Sequence, residues 1–86
     1  MSRQAASAII REVGEFLAQS PQALDQLLVG LRRASTSEQV RLDLLSREAL
    51  VNDAVRKDAL VVMGRYNMLQ DIITEFEFAK SKVVAQ

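Results

Sequence analysis

The sequence contains no cysteine, no histidine and no tryptophan, and only one proline and three glycines among its 86 residues. Without cysteine and histidine, thiol nucleophiles, serine–histidine triads and the common zinc sites are excluded. No disulfide framework can form either, so cysteine usage does not indicate a redox compartment. Because proline and glycine dominate turns, few chain reversals are expected. The composition therefore predicts a helical protein with no catalytic site, no cofactor and no small-molecule substrate.

Charge is balanced as well, since 11 basic residues offset 11 acidic ones. Such a chain has no global field that would attract nucleic acid or anionic lipid. No apolar run reaches transmembrane length, and the short apolar run near the start is closed by Arg11 and Glu12, unlike a secretory signal. We expect a cytoplasmic protein, with export without a cleaved signal as the alternative.

Apolar residues recur with helical spacing from the beginning of the sequence. An amphipathic helix is predicted over residues 3–19, with Gly14 placed where another helix backbone approaches closely. Ser20 and Pro21 then mark a boundary, because proline suits the first position of a helix that follows a serine cap. A second helix rich in leucine is predicted over residues 21–33.

Between residues 34 and 37 the sequence is polar, and Ser35 with Glu38 matches a capping box. We therefore expect a turn at 34–37 and a long third helix over 37–84. Gly64 is the one point inside that helix where a break is conceivable, which would give four helices in a compact bundle. The expected fold is a single all-α domain, a helical hairpin or small bundle in which two short N-terminal helices pack on one long C-terminal helix.

The long third helix would carry an apolar stripe that the preceding helices are too short to cover. A helix from residue 37 to 84 would be roughly 70 Å long, whereas residues 2–33 supply only about 45 Å of helix. Part of the stripe must then meet another chain, so a protein partner and a homo-oligomer are expected. The predicted contact residues are its large apolar side chains near the C-terminus: Val62, Tyr66, Leu69, Ile73, Phe76 and Phe78.

Two other groups of residues have the spacing of functional sites. Asp71 and Glu75 share a helical face and could bind a cation, although solvated carboxylates on amphipathic helices are far more common. Arginines near the expected turn, Arg32 and Arg33 among them, give the segment the look of a helix-turn-helix. Acidic residues interleave with these arginines and would partly cancel phosphate neutralisation, so nucleic acid is not the expected partner.

The leading functional hypothesis is a non-enzymatic structural or interaction protein that self-assembles, or docks on a larger protein, through its long C-terminal helix. A small helical regulator that binds protein or DNA as a dimer is the alternative. In overall build the chain resembles needle and rod subunits of bacterial secretion systems, and Tyr66–Asn67 is a faint similarity to them. The proline turn common in needle subunits is absent from residues 34–37. Helical export chaperones, which bind a partner helix in a groove, share the same outline.

Overall fold

The computed structural model describes residues 3–84, and over that range the chain forms three α-helices and no strand. Helix α1 spans Arg3–Leu17, α2 spans Pro21–Ala49 and α3 spans Asp53–Val84. The predicted all-helical class is confirmed. The predicted arrangement is wrong, because the second helix has 29 residues and the third has 32, so that two long helices of nearly equal length form a hairpin.

The connection between α1 and α2 lies where the sequence predicts it. The backbone N–H of Ser20 donates to the Leu17 carbonyl at 2.9 Å, and α2 begins at Pro21. The fixed φ of proline is compatible with the first helical turn, and its missing N–H is not needed there. The side chain of Ser20 makes no capping hydrogen bond.

The turn predicted at residues 34–37 does not exist, because α2 continues through this polar stretch. Ser35 is buried, and its hydroxyl accepts a hydrogen bond from the side-chain amide of Gln70 on α3. A serine in mid-helix ordinarily competes with the backbone for hydrogen bonds. Here packing against α3 provides the hydroxyl with a partner, so tertiary contact overrides the local capping preference.

Instead, the chain reverses at residues 50–52, inside the segment predicted as one continuous helix. Leu50 ends α2 with helical dihedral angles, and no described residue has a positive φ. Asn52 then starts α3, because its Oδ1 accepts hydrogen bonds from the backbone N–H groups of Ala54 at 3.0 Å and Val55 at 3.3 Å. Asparagine is among the best residues for this capping role.

The break considered near Gly64 is also absent, since α3 runs without interruption from Asp53 to Val84. A methyl group placed on Gly64 would meet nothing within 4 Å. Glycine costs a helix up to about 1 kcal/mol relative to alanine, which a long packed helix can tolerate. The alternative of four short helices is therefore wrong.

Three ion pairs and one hydrogen bond set the antiparallel register of α2 against α3. Lys80 pairs with Asp25, Glu77 with Arg32, and Arg65 with Glu38. The Ser35–Gln70 hydrogen bond falls between the second and third of these pairs. Glu38 Oε2 lies buried 3.5 Å from Arg65 Nη2 without forming a hydrogen bond. Exposed ion pairs add little stability. The order of these pairs along α2 and α3, however, is compatible with only one antiparallel register of the two helices.

The hydrophobic core lies in the half of the hairpin that includes the end of α3. Its largest fully enclosed side chains are Leu24 and Leu28 of α2. These leucines pack against Ile73 and Phe76 of α3. The buried cluster consists of Ala18, Leu24, Leu28, Ile73, Phe76 and Ala79, with Ile10, Leu17, Leu31 and Ile72 packed around it.

Helix α1 packs mainly on the C-terminal part of α3, and Gly14 is the point of closest approach. A methyl group on Gly14 would lie 3.0 Å from Phe76 Cδ1 and 3.3 Å from Ala79 Cβ. Helix α3 therefore packs closely at this glycine, but the nearest atoms belong to side chains and not to the helix backbone that the sequence predicts there. Arg11 reinforces the contact by pairing with Glu75 at 3.1 Å. That hydrogen bond and the Glu75 charge raise the pKa of the Arg11 guanidinium further, so the arginine stays charged at neutral pH.

Replacing Gly14 by leucine should lower the free energy of unfolding by about 1–3 kcal/mol, because the added side chain overpacks the contact with Phe76 and Ala79. Gly30→Leu is the matched control, since a side chain at Gly30 meets open space. Urea unfolding of both variants measures the difference. Equal stability of the two variants would show that α1 does not pack closely on α3 at Gly14.

The reversal at 50–52 should depend on the side chain of Asn52. Asn52→Ala removes the acceptor for two backbone N–H groups, and a loss of about 0.5–2 kcal/mol is expected in thermal or urea unfolding. Ser20→Ala is the control, because Ser20 precedes α2 but makes no side-chain cap, and it should change stability by less than about 0.5 kcal/mol. Similar losses in both variants would contradict the capping role.

Candidate interaction surface

Helix α1 covers only part of the hairpin. Its ion pairs with α3 run from Glu75, which pairs with Arg11 at 3.1 Å, to Lys82, which pairs with Glu15 at 3.5 Å. Nearer the start of α1, Ala6 and Ile10 line an open pocket together with Gly64 of α3. The segment on the other side of Gly64, residues 39–63, consists of the end of α2, the turn and the start of α3. We call this segment the distal hairpin. Ala59 and Val62 are buried there, but two helices in one layer cover only the sides that face each other, so most other apolar side chains stay in contact with solvent.

An open groove of about 420 Å³ runs between α2 and α3 in the distal hairpin. Most of its lining is apolar, with one acidic and one basic residue on opposite walls. Leu60 on its α3 wall is 59 % exposed, and Leu50 at the turn is 78 % exposed. The groove is lined by Leu42, Asp43, Ser46, Ala49 and Leu50 from α2 and its end, and by Arg56, Ala59, Leu60 and Met63 from α3.

Arg56 fixes the shape of the groove at the turn. Its Nε donates to the Ala49 carbonyl at 3.1 Å and its Nη2 to the Leu50 carbonyl at 3.5 Å. Its Nη1 pairs with Asp53 at 3.0 Å. The arginine thus satisfies carbonyl groups left free at the end of α2 and complements the negative end of the helix dipole. One wall of the groove therefore carries a positive charge in a defined place.

Charges in the distal hairpin are otherwise left without ion pairs inside the chain. Among the described residues, Asp53–Arg56 is the one ion pair with both partners between 39 and 63. Six further charged side chains there, three acidic and three basic, have no ion-pair partner in the described structure: Arg41, Asp43, Arg47, Glu48, Lys57 and Asp58. An apolar groove in a segment that carries unpaired charges of both signs has the composition of a protein-binding surface with polar surroundings.

None of the residues that the sequence predicts to contact another chain lines this groove. Val62, Ile73 and Phe76 are buried, and Tyr66 and Leu69 are half-buried. Phe78 is 58 % exposed. The first five belong to the stripe that the hairpin covers within the chain, because α2 folds back on α3. Their contact with another chain stays a prediction that no observation tests, whereas the exposed groove was not predicted.

A second set of exposed apolar side chains lies on α1. Ile9, Val13 and Phe16 recur at helical spacing, and each is largely exposed. The opposite side of α1 carries Ile10 and Leu17, which pack on the core cluster. Helix α1 therefore has apolar residues on two sides, one covered by the fold and one open to solvent.

Two other candidate sites are predicted from the sequence, at Asp71 with Glu75 and at the expected helix-turn-helix. Over residues 3–84, no group of three or more acidic side chains could hold a metal ion, and Glu75 is engaged by Arg11. The expected helix-turn-helix has no turn, since residues 34–37 are helical and Arg32 pairs with Glu77. Among the described helices, none is both long and apolar enough to cross a membrane.

No protein-family model matches this chain, and comparison with curated proteins and with solved structures gives no significant match. Functional inference therefore depends on the geometry and chemistry of the surface itself.

The buried and exposed members of the predicted contact set should respond differently to truncation. Ile73→Ala should lower the free energy of unfolding by about 2–5 kcal/mol, because it leaves a cavity in the core cluster. Phe78→Ala should change it by less than about 0.5 kcal/mol, since most of that side chain is already in water. Chemical denaturation of both variants compares them. A large loss with Phe78→Ala would show that this residue is covered in solution.

Proposed function

We propose that this chain is a non-enzymatic helical interaction protein that contacts a protein partner through the groove of the distal hairpin. The observation that carries the proposal is the open apolar groove between two long helices, which no described residue of α1 lines. Absence of cysteine and histidine from the sequence removes the residues on which most hydrolytic and redox chemistry depends.

The exposed side chains of the distal hairpin support a protein rather than a small molecule as the occupant. Leu50 and Val51 project at the turn, with Val51 87 % exposed, and Leu60, Val61 and Met63 follow on α3. Val51 and Val61 do not line the groove, so exposed apolar residues continue outside it, whereas small-molecule sites are concave and enclose most of their ligand. A shallow trough between helices instead suits the apolar side chains of a partner helix.

The partner should be captured by a photo-crosslinking amino acid placed in the groove. We expect p-benzoylphenylalanine at Leu60, introduced in the cells that normally produce the protein, to give a discrete crosslinked protein species on irradiation. Leu44 is the matched control position, because it is an exposed leucine of the distal hairpin, 77 % exposed, that does not line the groove.

Adducts are read by denaturing electrophoresis and mass spectrometry. A species formed from position 60 and absent from position 44 supports the groove as the contact surface, whatever the identity of the partner. Absence of any adduct at position 60, or identical adducts at both positions, contradicts the proposal.

A further inference from the structure

We propose that the occupant of the groove is the same groove of a second copy of this chain, so that two distal hairpins form an antiparallel four-helix bundle. This inference rests on the proposed function and names its partner. It follows from the signs of the charges along the groove, from their balance, and from the absence of α1 from the groove's described lining.

Opposite charges on opposite walls make the groove self-complementary. Asp43 stands on the α2 wall and Arg56 on the α3 wall. Among the described residues, Asp43 has no ion-pair partner, whereas Arg56 reaches only Asp53 and the carbonyl groups at the turn. In a twofold interface, a contact from residue i to residue j is repeated from j to i. A twofold dimer therefore forms two Asp43–Arg56 pairs at once.

The distances of Asp43 and Arg56 from the turn, measured along the hairpin, allow this pairing. Asp43 lies seven residues before Leu50, and Arg56 lies four residues after Asn52. At the rise of an α-helix these positions are about 10 Å and about 6 Å from the turn. A twofold axis parallel to the hairpin places α2 of one copy over α3 of the other with both turns at the same end. The remaining offset of about 4 Å is within the reach of an arginine side chain that exchanges its longest hydrogen bond, to the Leu50 carbonyl at 3.5 Å, for the carboxylate of the other copy.

That arrangement also makes every neighbouring pair of helices antiparallel. Within a chain α2 and α3 already run in opposite directions, and the twofold axis gives the same relation between chains. Up-and-down bundles of this kind pack four apolar faces around one core. Leu60, Met63 and Leu42, which line the groove in one copy, would then meet the same three residues of the other copy.

Charge balance favours a second copy over a strongly charged partner. The unpaired side chains of the distal hairpin include as many acidic as basic residues, so the surface selects neither an acidic nor a basic ligand. The whole chain has a formal net charge of zero. Two copies therefore approach without net repulsion, a condition that promotes association.

Helix α1 leaves the necessary length of hairpin open. Between Asn52 and Gly64 there is about 18 Å of helix. Both charged residues and the apolar lining of the groove fall within this length. Among the described residues, none of α1 lines the groove, so α1 does not occupy the place of a second copy there.

Two charge-reversal variants test the pairing. Asp43→Arg alone places arginine opposite arginine, and Arg56→Glu alone places glutamate opposite aspartate. Each should weaken self-association by about tenfold or more, because like charges then face one another across the interface. An equimolar mixture should dimerise again, since the two variants restore opposite charges at both positions. Sedimentation equilibrium over a concentration series measures all three samples and the unmodified protein.

Leu60→Asp provides a second test that does not involve Arg56, whose loss also disturbs the turn. It should abolish the dimer, whereas Leu44→Asp should leave it unchanged. Circular dichroism establishes that each variant remains helical. If Arg56→Glu does not fold, the comparison of Leu60→Asp and Asp43→Arg with Leu44→Asp tests whether the groove forms the dimer interface.

Each result supports or overturns the self-pairing. A dimer that is lost in the single charge variants and in Leu60→Asp, and regained in the mixture where both charge variants fold, supports it. A dimer that Leu60→Asp and Asp43→Arg leave intact overturns it, because the contact is then elsewhere. A monomer that crosslinks to a different protein from position 60 overturns the self-pairing and leaves the proposed function standing. A monomer without such a crosslink overturns both.

Discussion

The reversal at residues 50–52 is the constraint on which the rest of the structure depends. Because Asn52 caps α3 and Arg56 satisfies carbonyl groups at the end of α2, two long helices fold back on each other. Their apolar stripes then cover one another within a single chain, with Leu24 and Leu28 against Ile73. The same reversal creates the groove of the distal hairpin, since a pair of helices has an open trough wherever no third helix lies over it.

Much of the secondary structure was accessible from the sequence, because its signals are local. Helical composition, the Ser20–Pro21 boundary and the close approach at Gly14 all depend on neighbouring residues or on the absence of a side chain. The reversal was missed because it contains neither glycine nor proline. Two signals do mark it: Asn52 followed by Asp53 is a typical helix start, and Arg47 with Glu48 interrupts the apolar spacing of the supposed long helix.

The candidate surface could not be predicted without that reversal. A single helix over residues 37–84 would leave the stripe through Val62, Ile73 and Phe76 to be covered by a partner. In the folded chain those residues are buried, and the exposed apolar residues are others, such as Leu50 and Leu60. Which side of an amphipathic helix remains open is a property of tertiary packing, and the turn position that determines it is only weakly encoded.

The position of α1 in the chain has a consequence for synthesis. Helix α1 is made before α3, which supplies most of the surface that receives it. While the ribosome is still translating α3, the inward side of α1, including Ile10 and Leu17, has only α2 to pack on. A nascent chain thus displays part of an apolar amphipathic helix until α3 has been made, and transiently exposed apolar surface of this kind is what molecular chaperones recognise.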